Sequence, residues 1–394
     1  HLGRVRKVLC RYVRRTMNLR DRLFALLSSA PLDPAVFEAT GDADWCELYA
    51  VSCEQGVSAI VRDAVERAAA DGVLPPDSRP PKDLRMRWAL NAESVEAVYA
   101  RQRAVVAKLA RFFADHGIGM MVLKGYGLSL CYPRPNHRPC GDVDIWLFEE
   151  RRTPAGGAVR VCAQRRGDAL LRERMNISVD EGKHRHTTFY VDGVPVENHY
   201  DFLNVHAHRS NRIIESRLKE SLRGGLRRVE IDGAVVWLPP ADFHALFLLR
   251  HAAEHFAADR IALRHLLDWG YFAARHGDEI DWHALETLAE EMNMHRFLHS
   301  VHSICVGRFA MPLTRFPLSE PRAEDERLVL DEILRPEFSE TKPRGAGYLV
   351  SWSYMLRRWL ANRRKHGMVY RESSFATFFT QLYSHLLKPE SLKM

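Results

Sequence analysis

The period of the apolar residues changes twice along this chain, and that change limits the fold more than any single motif does. Up to about Gly117, and again beyond Pro240, apolar residues recur at the three- and four-residue steps of a helix face. Between Ile118 and Leu238 they run instead in short segments bounded by turn residues, and two Asp-Gly pairs, Asp192-Gly193 and Asp232-Gly233, each separate two such segments. Asp-Gly supplies the positive φ angles of a tight hairpin turn, so residues 186–191 and 194–200 are expected to pair, as are 229–231 and 234–238. Strands confined to the middle with helices on both sides make an α+β fold, here a small mixed-sheet core flanked by N-terminal and C-terminal helical regions.

Four stretches follow from this. Residues 1–16 form a basic arm with Arg4, Arg6, Lys7, Arg11, Arg14 and Arg15, read as an over-extended start ahead of Met17. Residues 17–117 are a helical region, in which the proline-rich stretch 74–81 precedes one long helix. That helix has Val95, Val98, Tyr99, Val105, Val106, Leu109, Phe112 and Phe113 on one face, Gln102 as the polar break, and His116-Gly117 as its close. Residues 118–239 are the core: a buried strand over 118–123, a turn at Lys124-Gly125, a short helix over 126–131, a loop over 133–140 and a strand over 142–148. A helix is expected over 158–166, before the hairpins. Residues 240–394 are helical again, beginning with a helix over 241–257.

Within the core, Asp142 and Asp144 bracket Val143 ahead of Ile145. Strand side chains alternate faces, so the two aspartates share one face while Val143 and Ile145 enter the core from the other. Adjacent carboxylates repel unless a cation lies between them, and magnesium suits because it takes hard oxygen ligands and completes its shell with water and substrate phosphates. A lone Asp-x-Asp also occurs as solvated strand-end acids. The Lys-Gly turn before it and an acidic strand carrying Glu197 after it favour a phosphoryl-transfer site, with Asp201 as the substitute third acid.

The set Leu123-Lys124-Gly125, Tyr132-Pro133, Arg138, Gly141-Asp142-Val143-Asp144 and Val196-Glu197-Asn198-His199 resembles the DNA polymerase beta-type nucleotidyltransferase superfamily. It is most similar to an uncharacterised bacterial branch that carries Leu-Lys-Gly, Tyr-Pro and Gly-Asp-x-Asp. The resemblance spans residues 118–201, with an echo in the helix bearing His251 and His255 and in Arg264-x-x-x-Asp268. It implies transfer of a nucleoside monophosphate from a nucleoside triphosphate to a hydroxyl, with pyrophosphate released. Two magnesium ions, with manganese as an alternative, would be held by Asp142, Asp144 and Glu197, and Glu197 would also help to take the hydroxyl proton. Lys124 and the Gly125 amide would meet the β- and γ-phosphates, Arg138 would clamp a phosphate, and Gly141 would serve the turn. His199, His251 and His255 are candidates for the acceptor site. The wider superfamily has Gly-Ser or Gly-Gly where this chain has Gly125-Tyr126, so the phosphate turn differs.

The acceptor expected first is a small or sugar-like molecule rather than RNA, since the net charge, 57 − 50 = +7, is modest and no dedicated nucleic-acid motif is present. A toxin-like enzyme acting on transfer RNA is a variant, and a catalytically silent nucleotide-binding or scaffold protein is the rival from another class. A kinase is disfavoured because neither a Walker-type loop nor a His-Arg-Asp loop occurs. Zinc proteolysis is disfavoured because in His251-Ala-Ala-Glu254-His255 the glutamate precedes the second histidine rather than following the first. His244, His251 and His255 share a helix face and are expected to line the cleft together, or to pack against an acid such as Asp268. Basic and aromatic residues alternate over 352–365, as in a core helix with a basic end or an RNA-contacting one. Seven cysteines without a Cys-x-x-Cys pair point to reduced thiols and a cytoplasmic setting, and no apolar run reaches the roughly 18 residues that cross a bilayer.

Overall fold

The computed structural model describes residues 17–153, 158–182, 184–258, 260–313, 321–336 and 348–373. The basic arm expected over 1–16 lies outside them. Asn18 opens helix α1 (Leu19–Leu27) by accepting a hydrogen bond from the Asp21 amide. Helices α2 (Asp42–Glu54) and α3 (Ser58–Ala70) follow, and after the prolines comes α4 (Lys82–Asp115). Its buried face carries Tyr99, Val105, Val106, Leu109 and Phe113, and it closes at Gly117 with φ +71°. The polar break in that face is used: the buried Gln102 amide donates to the Cys140 carbonyl at 3.2 Å, tying the helix to the loop before Asp142.

The sheet begins with β1 (Gly119–Val122), followed by the short helix α5 (Tyr126–Ser129), and continues with β2 (Val143–Arg152) and β3 (Ala158–Cys162). After helix α6 (Gln164–Met175) come β4 (Val179–Asp180), β5 (His186–Val191) and β6 (Val194–His199). Helix α7 (Arg209–Ser221) then leads to β7 (Arg227–Ile231) and β8 (Ala234–Leu238). The order across the mixed sheet is β4-β5-β6-β2-β1-β8-β7, with β3 also on β2. Both Asp-Gly turns have positive φ at each residue, as a hairpin of this kind requires.

One expectation is corrected. The helix placed over 158–166 is instead strand β3 and then α6, which starts at Gln164. Residues 158–162 pair antiparallel with the far end of β2, Phe148 opposite Cys162 and Arg152 opposite Ala158. The unpaired edge of a long β2 claims this segment, overriding a weak helical pattern.

The two faces of the sheet enter different apolar clusters. Met120, Val122, Val143, Ile145, Leu147 and Val196 pack with α4. Met121, Trp146 and Phe148 face the helices that follow the sheet: α8 (Ala241–Ala258), α9 (Leu263–His276), α10 (Trp282–Glu291), α11 (His295–Gly307) and α12 (Ala323–Leu334). Residues of α1 to α3 join the same cluster, so helices from both ends of the chain share one core. Helices α13 (Tyr348–Ala361) and α14 (Arg363–Val369) complete the described chain. No helix among the described residues is long and apolar enough to cross a membrane.

Candidate active site

Strand alternation sends Asp144, Trp146 and Phe148 to the face opposite Val143 and Ile145, toward α8. Strands β2 and β6 are parallel neighbours in a register that sets Asp144 beside Glu197, and Val143 beside Val196. Neighbouring strands lie about 4.8 Å apart, so same-face residues in register stand side by side. Asp142, at the mouth of β2, completes the group: oxygens of Asp142, Asp144 and Glu197 lie within 4.8 Å of one another.

Each carboxylate has a different environment. Asp144 is 1 % exposed; burial opposes its charge, but Lys124, with Nζ 3.2 Å from Oδ1, and His199 outweigh that and hold its carboxyl far below the usual range. Asp142 is pushed up, by burial first and then by Asp144. Glu197 is held down: burial opposes its charge, and the nearby His199 and His186 prevail. One oxygen, Oδ2 of Asp144, is buried without a hydrogen-bond partner. A buried carboxylate oxygen left bare among acids is what a divalent cation would satisfy, so these residues fit such an ion.

His199 does not line the cleft as an acceptor contact. It is fully buried beneath the carboxylates, with Nε2 3.0 Å from Asp144 Oδ1 and 3.7 Å from Glu197 Oε2, and Nδ1 3.1 Å from the Asp201 carbonyl. A carbonyl oxygen only accepts, so Nδ1 carries a proton, and Nε2 facing carboxylates carries another. Such partners favour the doubly protonated ring: burial disfavours its charge, but the two acids raise its pKa. His186, with Nε2 3.3 Å from Glu197, is pushed down to about 3 by burial and by His199. Asp201, the substitute third acid, is spoken for by Lys219 at 2.5 Å and takes no part in the cluster.

A cleft of about 350 Å³ opens over the acids. Lys124, Gly125, Gly141, Asp142, Asp144, Glu197 and Arg185 line one side; Arg138, Arg264, Asp268, His251, His255 and His265 line the other. Gly125 adopts φ +64° and ψ −106°, a conformation that side-chain-bearing residues avoid, and a Cβ there would stand 3.7 Å from Asp144 Oδ2. The following Tyr126 is buried and stacks on Tyr99 at 5.1 Å, so it presents no hydroxyl at this turn.

Arg138 reaches the cleft, but its guanidinium is engaged: Nε and one terminal nitrogen donate to the two oxygens of Asp268, each at 2.8 Å. Tyr132 donates to the same carboxylate at 2.6 Å. Asp268 is therefore the anchor of the Tyr-Pro and Arg loop on α9, not a partner for a packed histidine. His244 is also misplaced by periodicity: it is fully buried against Phe272 and does not line the cleft. Arg185 and His265 escaped sequence reasoning. Arg185 precedes β5 and reaches the acids only through the β5–β6 register, its carbonyl accepting from the Tyr200 and Asp201 amides. His265 joins His251 and His255 only across the packing of α8 on α9.

A family model described as an uncharacterised nucleotidyltransferase matches residues 41–310. A solved antigenic nucleotidyltransferase-like protein from Paracoccidioides brasiliensis is similar at 17% identity and a TM-score of 0.30, over 43% of this chain and 74% of that one. No curated protein matches.

Proposed function

The chain belongs to the uncharacterised nucleotidyltransferase family, and from that premise we propose that it moves a nucleoside monophosphate from a nucleoside triphosphate to a hydroxyl acceptor, releasing pyrophosphate, with magnesium held by Asp142, Asp144 and Glu197. The observation that carries this reading is the convergence of three carboxylates from two strands around a bare, buried Asp144 oxygen at the floor of a cleft.

In the transfer, the acceptor oxygen bonds to the α-phosphorus, the bond to the β-phosphate oxygen breaks, and the hydroxyl proton leaves to a base. Magnesium, when bound, supplies charge neutralisation for the phosphates and polarises the acceptor hydroxyl. Glu197, more exposed than Asp144, would accept the proton. Asp144 is kept ionised by Lys124 and His199, ready for a cation. Lys124 and Arg185 add positive charge along the wall where a triphosphate tail would lie, and Gly125 lets the backbone come close to it. The acceptor occupies the side bounded by α8 and α9. Its size and polarity favour a small hydroxyl compound, and we place the reaction in the cytoplasm.

The test is pyrophosphate release with each triphosphate and magnesium. Asp142→Asn with Asp144→Asn is expected to lower the rate by about a thousandfold. Equal rates in variant and wild type would end the proposal. A silent nucleotide binder is the second reading, favoured by the buried Tyr126 where a small hydroxyl residue would help hold phosphate. It predicts stabilisation by a triphosphate with magnesium and no product.

A further inference from the structure

The wall of the cleft opposite the carboxylates has its own cluster of ligand atoms. One ring nitrogen from each of His251, His255 and His265 lies within 4.8 Å of the others. The first two are four residues apart on α8, the spacing at which side chains on one helix face meet and can grip a single ion. The third comes from α9. Ring centroids are 4.5 Å apart for His251 and His255, 4.6 Å for His255 and His265, and 5.9 Å for His251 and His265. All three line the cleft.

We propose that His251, His255 and His265 form a second metal centre for a zinc-class ion, separate from the carboxylate site and facing it across the cleft. Neutral imidazoles are the donors such an ion takes, and three of them leave a fourth position for water or a substrate oxygen. Lys124, Arg185 and Arg264 bear on the cluster, offset in part by Asp268, and act alike on any divalent ion, so the choice between ions lies with the donors: nitrogen lone pairs suit zinc, whereas magnesium takes oxygen.

His265 adds a coupling. Its Nδ1 accepts the Ala262 amide hydrogen at 2.9 Å, which puts the proton of the neutral ring on Nε2. Neither nitrogen can bind a metal while that arrangement holds. Coordination therefore trades the Ala262 contact, which caps α9, for a metal bond, and His251 with His255 take the ion first.

The full chain, stripped with chelator and titrated calorimetrically with Zn²⁺ in millimolar Mg²⁺, is expected to bind one ion. Replacing His251→Gln with His255→Gln should weaken binding roughly tenfold or more. Asp142→Asn with Asp144→Asn should leave it unchanged. Co²⁺ in place of Zn²⁺ should give visible absorption bands of a nitrogen-ligated, low-coordinate ion, and the Ala262 amide should exchange hydrogen faster in the loaded protein. If the paired glutamine variant does not fold, His251→Gln alone is read by the same titration. The proposal is overturned by the lack of a stoichiometric site, by binding that survives loss of the histidines, or by binding that disappears with the aspartates. None of these results bears on pyrophosphate release, so this proposal and the transferase reading fail independently.

Discussion

Asp144 illustrates how opposed demands meet in one side chain. It must be buried to lie in the sheet and charged to serve the cleft, and Lys124 and His199 reconcile the two. The pair with His199 sets a pH window. The Asp144 pKa is depressed on folding, so its stabilisation is present above the unfolded carboxyl value of about 3.9 and is lost as pH falls through the folded one. The His199 pKa is raised, so its share is present below the unfolded imidazole value of about 6.5 and is lost as pH rises through the folded one. In chelator, the melting temperature of wild type should exceed that of His199→Gln most between pH of about 4 and 6.5, with the gap narrowing at higher pH. A gap independent of pH across that range would remove the imidazolium from the account.

Between elements, the strongest tie at the site is Asp268 on α9, which fastens the 133–140 loop through Arg138 and Tyr132. Asp268→Asn leaves Arg138, only 6 % exposed, as an unpaired buried charge, and should cost about 3–5 kcal/mol in denaturant titration. Adding Arg138→Met should restore much of that, because the cost lies in the stranded charge rather than in lost attraction. If Asp268→Asn melts like wild type, the anchor is not there.

What could be read from the sequence at this scale divides by distance along the chain. The Asp-Gly hairpins and the long α4 with its glycine close were legible because each is a local matter of turn chemistry or side-chain period, whereas Asp142 lies just ahead of β2 and meets Asp144 there without the strand alternation expected of it. Strand β3 was missed because its identity depends on the free edge of β2. Asp268 as the partner of Arg138, His265 in the histidine cluster and Arg185 at the cleft were hidden because they depend on which helix packs on which and on strand register. Periodicity gives the face a residue points to, but not the neighbour it meets there.

Across the molecule, the cleft lies between the sheet and the α8–α9 pair, and those helices share their core with α1 to α3. Gln55, from the N-terminal helices, donates to the Ile333 carbonyl and accepts from the Leu263 amide at the head of α9. A ligand that bridges sheet and helices should therefore stabilise most of the chain at once. A triphosphate with magnesium at a hundred times its dissociation constant should add about 2.7 kcal/mol, seen as a raised melting temperature that Asp142→Asn with Asp144→Asn abolishes. A rise that persists in that variant would put the nucleotide elsewhere.

The parallel pairing of β2 with β6 has a consequence for how the protein is made. A polypeptide still leaving the ribosome, with Asp142 and Asp144 already synthesised but β6 not yet made, holds two mutually repelling acids without the third that Glu197 supplies or the imidazolium that steadies them. The three-carboxylate cluster can thus assemble only once about half of the chain has been made and β6 docks beside β2.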